Sequence, residues 1–314
     1  MRTCLAQPAP LREIESRLSR RRCIEAQYQK TGGRAESGLS RDRILGWVLK
    51  TGLQTAGLYQ QGIANALRPV VRHLRLEFAN LPPGLDGFRI LHLSDFHIDG
   101  VDGLAEIVAD QLASLSVDLC VLTGDYRFEV RGSCDAVYPR MRHILSAISS
   151  RHGIVGILGN HDCADIAIEL EKMNVRMLIN ESVQVGGPAG ALQVIGVDDP
   201  NDGYDDLAAA AEGVPPGEFK LLLAHSPEMI PEATGAGIDL YLTGHTHAGQ
   251  IRLPWIGPIS TNAKCRRAHT QGHWLADRMQ GYTTAGVGCS LLPIRFGCPP
   301  EIVVLELAKR CVGV

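Results

Sequence analysis

Short apolar runs alternate with amphipathic stretches from His73 onward, and this pattern predicts the order of strands and helices. The predicted strands are His73 to Ala79, Phe88 to Ser94, Asp118 to Thr123, Gly153 to Leu158, Leu192 to Val197, Phe219 to Ala224, Asp239 to Thr243 and Glu301 to Leu307. The predicted helices are Gly103 to Leu115, Cys134 to Ser149, Ala164 to Met173, Tyr204 to Ala211 and Pro227 to Thr234. Strands that alternate with helices indicate an α/β layered domain.

Residues 43–70 carry apolar side chains at intervals of three to five residues, which predicts one long amphipathic helix. Polar side chains such as Lys50 and Arg68 interrupt it too often for a membrane span, which needs about twenty predominantly apolar residues. Two alternatives remain open. The helix packs on the rest of the chain, or it lies on a membrane surface with the help of Trp47 and Tyr59.

Residues 1–43 form a basic head that we expect to be solvated and partly disordered. Ten Lys or Arg against five Asp or Glu give it a net charge of +5, whereas 21 basic and 29 acidic side chains give the remainder −8. The run SRRR at Ser19–Arg22 is similar to a twin-arginine export signal, but the polar residues behind it argue against export. We therefore divide the chain into an N-terminal extension, residues 1–70, and a main domain, residues 71–314.

Composition bounds the class of protein. Hydrophobic residues make up 45% and charged residues 21% of the 314 positions, as in soluble globular proteins. The acidic main domain argues against nucleic-acid binding, because that function draws affinity from Lys and Arg contacts to phosphates. Nine cysteines occur without any C-x-x-C pair, and Cys120 lies in an apolar run. This predicts a reducing, cytoplasmic location, with peripheral contact to the inner membrane through residues 43–70 as a further hypothesis.

The stretch LHLSDFHID, at Leu91–Asp99, ends an apolar strand in Asp95 and His97. In an extended chain, side chains two residues apart point to the same side, so this carboxylate and this imidazole would face one point, where a metal ion can bind. His92 falls on the opposite side and is expected in the core. Asp and His at this spacing also recur by chance, so the pair alone leaves a structural role open.

Four further predicted strands end in side chains that can bind a metal ion or transfer a proton. They lead into Gly124–Asp125, GNHD at Gly159–Asp162, Ala224–His225 and GHTH at Gly244–His247. Ligands bind beyond the carboxyl ends of strands in open α/β sheets, so the five strand ends predict one site. Each has an ordinary alternative, since Asp125 can close a turn and Asn160 can cap a helix, but their joint occurrence favours a metal site.

In this order, the motifs DFH, GDY, GNHD, the isolated His225 and GHTH closely resemble those of the calcineurin-like metallophosphoesterase superfamily. The resemblance covers about residues 71–308 and extends to the bacterial membrane-associated phosphodiesterase branch with a GHTHGGQ-type final motif. It implies an α/β fold, a four-layer α/β/β/α sandwich, here with an N-terminal helical extension. Phe96 and Ala248 depart from the residues common at those places. Phe128 stands where purple acid phosphatases carry a metal-binding tyrosine, which argues against that type of enzyme.

The resemblance also implies a site for two metal ions. One ion would be held by Asp95, His97, Asp125 and His247, and the other by the bridging Asp125 with Asn160, His225 and His245. In this family pattern His161 would protonate or stabilise the leaving oxygen, and Asp162 would orient His161. Carboxylate, amide and imidazole ligands fit manganese, which is our first candidate, and also fit iron or zinc.

The parts of the chain that would contact a substrate are less well defined. Arg127, next to the bridging ligand, and Arg252 in GQIRLP are tentative substrate-binding residues, and the segment Asn262–Gln280 is a further candidate. Each can equally be solvated surface, because charged side chains are mostly exposed. Asp198 and Asp199 in GVDDP either approach the site or only form a turn after a strand.

These features predict a dinuclear-metal-dependent phosphoester hydrolase and, more narrowly, a phosphodiesterase. The similar bacterial branch includes enzymes that cleave the diphosphate of UDP-2,3-diacylglucosamine in lipid A synthesis, so a lipid-linked phosphoester is one hypothesis for the substrate. A soluble nucleotide phosphodiesterase or phosphatase is the alternative. A noncatalytic interaction protein on the same fold is a third class, but such a protein is expected to lack ligands that are all present in this chain.

Overall fold

The computed structural model describes residues 11–31, 41–187 and 190–310. The helices in these ranges are α1 (Leu11–Arg17), α2 (Ser19–Thr31), α3 (Arg41–Thr55), α4 (Tyr59–Ala66), α5 (Leu104–Leu112), α6 (Val137–Ser146), α7 (Ala164–Lys172), α8 (Leu207–Ala210) and α9 (Ile230–Gly235). The strands are β1 (Val70–Phe78), β2 (Arg89–Leu93), β3 (Ser116–Val117), β4 (Leu119–Leu122), β5 (Ser149–Ser150), β6 (Ile154–Gly156), β7 (Val175–Met177), β8 (Glu181–Gly187), β9 (Gly190–Gly196), β10 (Phe219–Leu223), β11 (Leu240–Thr243), β12 (Arg252–Leu253), β13 (Gly257–Pro258), β14 (Gly272–Ala276), β15 (Met279–Thr283) and β16 (Glu301–Lys309). Among the helices described, none has both the length and the apolar character that crossing a membrane requires.

Two six-stranded sheets form the centre of the fold. The first has the order β1-β16-β2-β4-β6-β7, and the second has the order β14-β15-β11-β10-β9-β8. In the first sheet β2, β4, β6 and β7 run parallel, and in the second β9, β10, β11 and β15 run parallel. In each sheet the carboxyl ends of these parallel strands lie at the same end of the sheet. The loops that follow the strands therefore lie close together there.

Apolar side chains fill the space between the sheets and the space under the helices on either side. Ile90, Leu221 and Leu242 belong to the cluster between the two sheets, whereas Leu91 and Leu93 face the helices α5, α6 and α7. Because successive side chains of a strand point to opposite faces, a strand buried on both faces reads as a continuous apolar run, as β2 does. Helices α8 and α9 cover the second sheet. This order of layers confirms the predicted α/β/β/α sandwich.

All eight predicted strands are present, and their ends differ from the predicted ends by up to three residues. In the two six-stranded sheets the prediction missed β7, β8, β14 and β15, which are short or less uniformly apolar, and it also missed the two-residue strands β3, β5, β12 and β13. Strand β15 is buried along its length although it contains polar residues, because these residues bond within the protein. Gln280 Nε2 donates to the Glu77 carbonyl at 2.8 Å, and Trp274 Nε1 donates to Thr283 Oγ1 at 2.9 Å. A strand whose buried residues are polar and bond within the protein shows no apolar run in the sequence, so the pattern could not predict it.

The single helix predicted over residues 43–70 is wrong, because the chain forms the separate helices α3 and α4 and then enters β1 at Val70. Gly57 lies in the break with φ of +71°, a left-handed conformation that glycine adopts at little cost. Helix α4 packs on the C-terminal part of the chain. A Cβ at Gly62 would lie 2.8 Å from side-chain atoms of both Ile294 and Phe296, so only glycine permits this approach.

The expectation of a solvated head is also wrong for the part of it that the structure describes. Ile14 and Leu18 are fully buried in the core under α7, and Arg21 of the SRRR run is 2% exposed. An apolar pair four residues apart gives α1 and its junction with α2 a face that can pack. The predicted head residues 1–10 and 32–40 lie outside the described residues.

Candidate metal centre

All seven predicted metal ligands follow the ends of central strands from both sheets. They come after β2 (Asp95 and His97), β4 (Asp125), β6 (Asn160), β10 (His225) and β11 (His245 and His247). Five of them have positive φ, between +37° and +68°, which is uncommon outside glycine. Backbone strain of this kind concentrates at functional sites, where the surrounding structure holds it. Asp95 and His97 therefore converge because they lie in a tight turn. We had predicted their convergence from the alternation of side chains along a strand, which does not extend to them.

The first half of the centre contains Asp95, His97 and His247, whose ligand atoms form one cluster. His97 Nδ1 donates to the Arg127 carbonyl at 2.7 Å, so the lone pair of the neutral ring is on Nε2. That atom lies 3.1 Å from His247 Nε2, which in turn is 3.4 Å from Asp95 Oδ1. Burial lowers the pKa of His97 to about 3 and holds that of His247 well below its usual range. Two neutral imidazoles facing each other across a carboxylate fit a metal ion.

The second half contains Asp125, Asn160, His225 and His245. His225 Nδ1 donates to the Thr123 carbonyl at 2.7 Å, and its buried Nε2 has no hydrogen-bond partner among the described residues. His245 Nε2 lies 3.1 Å from the Asn262 carbonyl and donates to it, which turns Nδ1 toward Asn160 Oδ1 at 2.9 Å. An imidazole lone pair and an amide oxygen are both acceptors, so this contact also calls for a cation between them.

Asp125 lies between the two halves. Its Oδ2 is 3.5 Å from His97 Nε2 and 3.3 Å from His225 Nε2. Burial raises the pKa of Asp125, but the neighbouring imidazoles, His225 first, outweigh it and hold the pKa well below the usual range. The pKa of His225 is raised correspondingly: burial lowers it, and the Asp125 carboxylate more than reverses this effect. The negative charge of Asp125 therefore favours a positive charge at the position where the two halves meet.

Main-chain atoms approach the carboxylates closely at two glycines of the motifs. A Cβ at Gly159 would overlap Asp125 Oδ1, and a Cβ at Gly244 would overlap Asp95 Oδ2. Backbone N–H groups at the same loops then reach the carboxylates, as when His245 N donates to Asp95 Oδ1 at 3.0 Å. The glycines of GNHD and GHTH are thus required for the approach of the loops to the centre.

His161 lies beside the centre and is more exposed than the ligand histidines, with 16% of its side chain accessible. Its Nδ1 donates to the Phe128 carbonyl at 2.6 Å, and its Nε2 lies 4.0 Å from Asp125 Oδ2. The predicted orientation of this ring by Asp162 is wrong, because the Phe128 carbonyl is the ring's partner. Phe128 itself packs edge-on against His97 and offers no ligand oxygen from its side chain.

Asp162 instead clamps two loops of the centre. Its Oδ2 accepts from the backbone N–H groups of Asp125 and Gly159 at 2.8 Å each, and its Oδ1 accepts from Tyr126 N at 2.8 Å. A carboxylate can accept several such bonds at once, which fixes the GDY and GNHD loops relative to each other. The spacing of GNHD gave no sign that Asp162 joins the two loops, because Asp125 and Tyr126 lie 37 and 36 residues before it.

Arg127 is almost fully buried and its guanidinium bonds to neighbouring loops. Nε donates to the His161 carbonyl at 2.5 Å, Nη1 donates to the Gly132 carbonyl at 3.2 Å, and Nη2 donates to the Val130 carbonyl. Arg252, at the start of β12, donates to the Ala248 carbonyl at 3.0 Å. Arg252 also lines an open groove of about 570 Å³ at the β12–β13 hairpin, and it is the more accessible of the two predicted substrate contacts.

The segment Asn262–Gln280 contributes to the centre mainly through one main-chain atom, the Asn262 carbonyl that receives His245. Trp274 is buried and packs edge-on against Tyr241, so it belongs to the core. His92 is fully buried, as predicted, and its Nε2 bonds Thr123 Oγ1 at 2.9 Å.

The sequence alone did not place two buried arginines, Arg295 and Arg21, at the site. Arg295 donates to the carbonyls of Ala285, Gly286 and Gly288, and its Nη2 lies 3.4 Å from His247 Nδ1. An isolated arginine within the apolar stretch before β16 was the only signal for it in the sequence.

Arg21 binds the back of the GNHD loop. It donates to the Gly159 carbonyl at 2.9 Å and to the Asp162 carbonyl at 2.7 Å, and it forms a buried ion pair with Asp198. Asp198 therefore approaches the site through Arg21. Asp199 closes the adjoining turn, where it accepts from the N–H groups of Asn201 and Asp202.

The fold and this site together define a metal-dependent phosphoester hydrolase. The family profile described as calcineurin-like phosphoesterase matches residues 88–249, which include all seven predicted ligands and His161. The chain belongs to that family, whose members carry a dinuclear site for divalent metal ions.

Relatives span most of the chain. It is 29% identical to the metallophosphoesterase YkuE of Bacillus subtilis over 72% of this chain and 81% of that protein. It is 29% identical to the phosphodiesterase YaeI of Escherichia coli over 70% of this chain and 82% of that protein. A transmembrane protein with metallophosphoesterase domain from Bos taurus is 29% identical over 90% of this chain and 68% of its own length. Among solved structures, the NAD nucleotidase NadN of Haemophilus influenzae matches 64% of this chain and 50% of its own at 14% identity, with a TM-score of 0.41 that is too low to add to the argument.

Proposed function

We propose that this protein hydrolyses phosphodiesters at two divalent metal ions, with manganese as the first candidate and iron or zinc as alternatives. The observation that carries the proposal is the position of Asp125, whose Oδ2 lies within 3.5 Å of His97 Nε2 and 3.3 Å of His225 Nε2, one imidazole from each half. A carboxylate that lies between the imidazole nitrogens of two groups of proposed ligands is suited to bridge two cations. Oxygen and imidazole donors without thiolate fit manganese, iron or zinc.

The contacts support the following assignment of ligands to the two ions. One ion would be held by Asp95, His97, Asp125 and His247, and the other by Asp125, Asn160, His225 and His245. When bound, two such ions polarise a phosphoryl group and lower the pKa of water at the site. The chain fixes the orientation of three of the proposed ligand rings. In His97, His225 and His245 one ring nitrogen donates to a main-chain carbonyl, which directs the other nitrogen to the centre.

His161 is the residue that we propose transfers a proton to the leaving oxygen. Because Nδ1 donates to the Phe128 carbonyl, Nε2 is the atom that gains and releases a proton. Its side chain is accessible, whereas the ligand histidines are nearly closed to solvent, so a substrate can reach it. This Nε2 lies 4.0 Å from Asp125 Oδ2, next to the position proposed for the two ions.

We further propose a lipid-linked substrate, with a UDP-diacylglucosamine-type diphosphate as the candidate, presented at a membrane surface. Helix α3 exposes a row of apolar side chains that includes Trp47, which is 68% exposed. The hairpin formed by β12 and β13 exposes Leu253, Trp255 and Ile256, and Trp255 is 98% exposed. Aromatic and aliphatic side chains at such tips favour the interface of a bilayer.

Helix α3 and the β12–β13 hairpin both contact the segment that precedes β16. A Cβ at Gly46 of α3 would lie 3.2 Å from Leu291, and Arg252 N donates to the Phe296 carbonyl at 2.8 Å. Arg267 Nη2 donates to the Ile256 carbonyl at 3.1 Å, so cationic groups lie at the base of the hairpin, as contact with anionic lipid headgroups would require. The hairpin follows His247 by only a few residues, which would bring a membrane-borne substrate to the centre.

The test combines metal analysis of the purified protein with three assays under added manganese, using bis-p-nitrophenyl phosphate, UDP-diacylglucosamine and a panel of nucleotide esters. We expect about two metal ions per chain and hydrolysis of the diester. Preferred turnover of nucleotides over the lipid would replace the lipid hypothesis with a nucleotide phosphodiesterase or phosphatase. Full activity of a clean Asp125→Asn preparation would contradict the bridged centre.

A further inference from the structure

Two cysteines lie next to each other beside the metal centre. Cys134 precedes α6, and Cys163 directly follows Asp162 of the GNHD motif and precedes α7. Their Sγ atoms are 3.7 Å apart, and both are free thiols. The two residues come from separate loops, so their contact joins the loop after β4 to the loop after β6. A disulfide needs the sulfur atoms about 2 Å apart, so a modest approach of these loops would allow the bond.

Arg127 gives this pair the electrostatic surroundings of a reactive thiol. Its Nη1 donates to Cys134 Sγ at 3.4 Å, and the Cys163 thiol donates to the same sulfur. The hydrogen bond from Cys163 lowers the pKa of Cys134 to about 6, with Arg127 contributing further against the effect of burial. The same hydrogen bond and burial raise the pKa of Cys163. Cys134 is thus the nucleophile of the pair and Cys163 is the neighbouring thiol that can resolve an oxidised form.

The pair is connected to the catalytic machinery through the same guanidinium. Arg127 Nε donates to the His161 carbonyl at 2.5 Å, and Cys163 is two residues from His161. A change at the sulfur atoms therefore acts on the loop that carries the proposed proton donor. Cys134 is nearly buried and Cys163 is half-buried, which admits a small oxidant while excluding bulky ones.

We propose that Cys134 and Cys163 form a peroxide-responsive thiol pair that regulates the centre by reversible disulfide formation. The Cys134 thiolate attacks one oxygen of hydrogen peroxide, the O–O bond breaks, and Cys134 becomes a sulfenic acid as hydroxide leaves and takes the proton of Cys163 to form water. The Cys163 thiolate then attacks the Cys134 sulfur, the S–S bond forms, and the S–O bond breaks. The second hydroxide takes a solvent proton. In sum, two thiols lose two electrons, and one peroxide becomes two waters.

The disulfide would remove the thiolate that Arg127 contacts and draw residue 163 toward the loop before α6. We expect both effects to shift His161, while the strands that precede the seven proposed ligands stay in place. We expect the disulfide form to lose at least tenfold in kcat with unchanged metal content, and a thiol reductant to restore it. This activity effect rests on the proposed function, whereas the formation of the disulfide does not.

The primary readout is chemical, so it stands apart from the assay of hydrolysis. Holoenzyme is treated with a small excess of hydrogen peroxide, and intact mass and peptide mapping follow the cysteines. We expect loss of two mass units and one peptide pair joined through Cys134 and Cys163. In Cys163→Ser, dimedone should label Cys134 as the trapped sulfenic acid, and in Cys134→Ser neither product should form. Cys23→Ser, which removes an exposed thiol elsewhere, is the matched control and should behave as the parent does.

Absence of the Cys134–Cys163 peptide pair in oxidised holoenzyme, or formation only with other cysteines, would overturn the proposal. A disulfide that forms without any change in kcat would overturn the regulatory part. Reduced enzyme that hydrolyses no phosphodiester would instead contradict the proposed function and leave the mass readout intact.

Discussion

Four of the five histidines at the centre have one ring nitrogen bonded to a main-chain carbonyl, whereas His247 Nδ1 lies 3.4 Å from Arg295 Nη2. The pairs are His97 with Arg127, His161 with Phe128, His225 with Thr123 and His245 with Asn262. Such partners fix both the tautomer and the plane of an imidazole, and they raise its basicity as a ligand. The carbonyls come from residues whose side chains are unrelated to metal binding. Substitution of those side chains should therefore be tolerated better than any insertion or deletion in their loops.

His161 differs from the others in its exposure, and its replacement separates proton transfer from metal binding. We expect His161→Ala to lower kcat by about 10²- to 10⁴-fold, the usual contribution of general acid–base catalysis, at unchanged metal content. Metal analysis and single-turnover kinetics on the same preparation make the measurement. A variant that loses metal would show that His161 is a ligand.

Burial at His92 makes stability depend on pH. Burial lowers the pKa of His92 to about 3, whereas an unfolded histidine titrates near 6.5. Between these values the unfolded chain binds a proton that the folded chain does not, so the unfolding free energy is highest above about pH 6.5 and falls as the pH drops toward 3. In His92→Gln this part of the pH dependence should disappear.

Urea unfolding of both chelated proteins at several pH values between 7.5 and 4 measures this difference. The other buried histidines titrate alike in parent and variant, so the difference between the two curves isolates His92. Parallel curves would contradict the prediction.

At the scale of elements, α2 contributes a buried side chain to the back of the centre. Arg21 pairs with Asp198 and holds two carbonyls of the GNHD loop, whereas the adjacent Arg22 forms only an exposed pair with Asp165. Removing one member of a buried pair typically costs about 3 to 5 kcal/mol, because it leaves an uncompensated charge, and exposed pairs contribute about 0 to 1 kcal/mol. We expect Arg21→Met to lower the unfolding free energy by the former amount and Arg22→Met by the latter.

Urea unfolding of the two variants tests this, and Arg21→Met combined with Asp198→Asn should recover part of the loss. Equal, small effects of both arginine variants would show that the extension is not coupled to the site.

Sequence patterns predicted the elements whose two faces are both apolar and the positions of the proposed ligands that follow them. These positions were predictable because motif spacing and strand ends are local features. The partners of Arg21 were not, because Arg21 and Asp198 are 177 residues apart and neither stands in a motif. The break at Gly57 was missed because apolar spacing continues across it, and β15 was missed because its polar residues find partners only in the folded protein.

At the scale of the whole molecule, the exposed apolar hairpin is the part that we expect to contact a bilayer under the proposed membrane binding. We expect the protein to float with vesicles that contain anionic phospholipid, and Trp255→Ser combined with Ile256→Ser to reduce the bound fraction at least fivefold. The matched control is Leu275→Ser, because Leu275 is 63% exposed but lies on β14 at the edge of the second sheet. Flotation lost equally in the control, or absent in the parent, would remove the membrane hypothesis.

The position of β16 has a consequence for how the protein is made. β16 lies between β1 and β2 in the first sheet and pairs with both, although it comes last of the three in the chain. On a ribosome, β1 must therefore wait until more than two hundred residues have followed it before its neighbour emerges. A nascent chain stalled before Glu301 would expose the edges of β1 and β2, and such a chain is a natural client for chaperones that recognise unpaired strands.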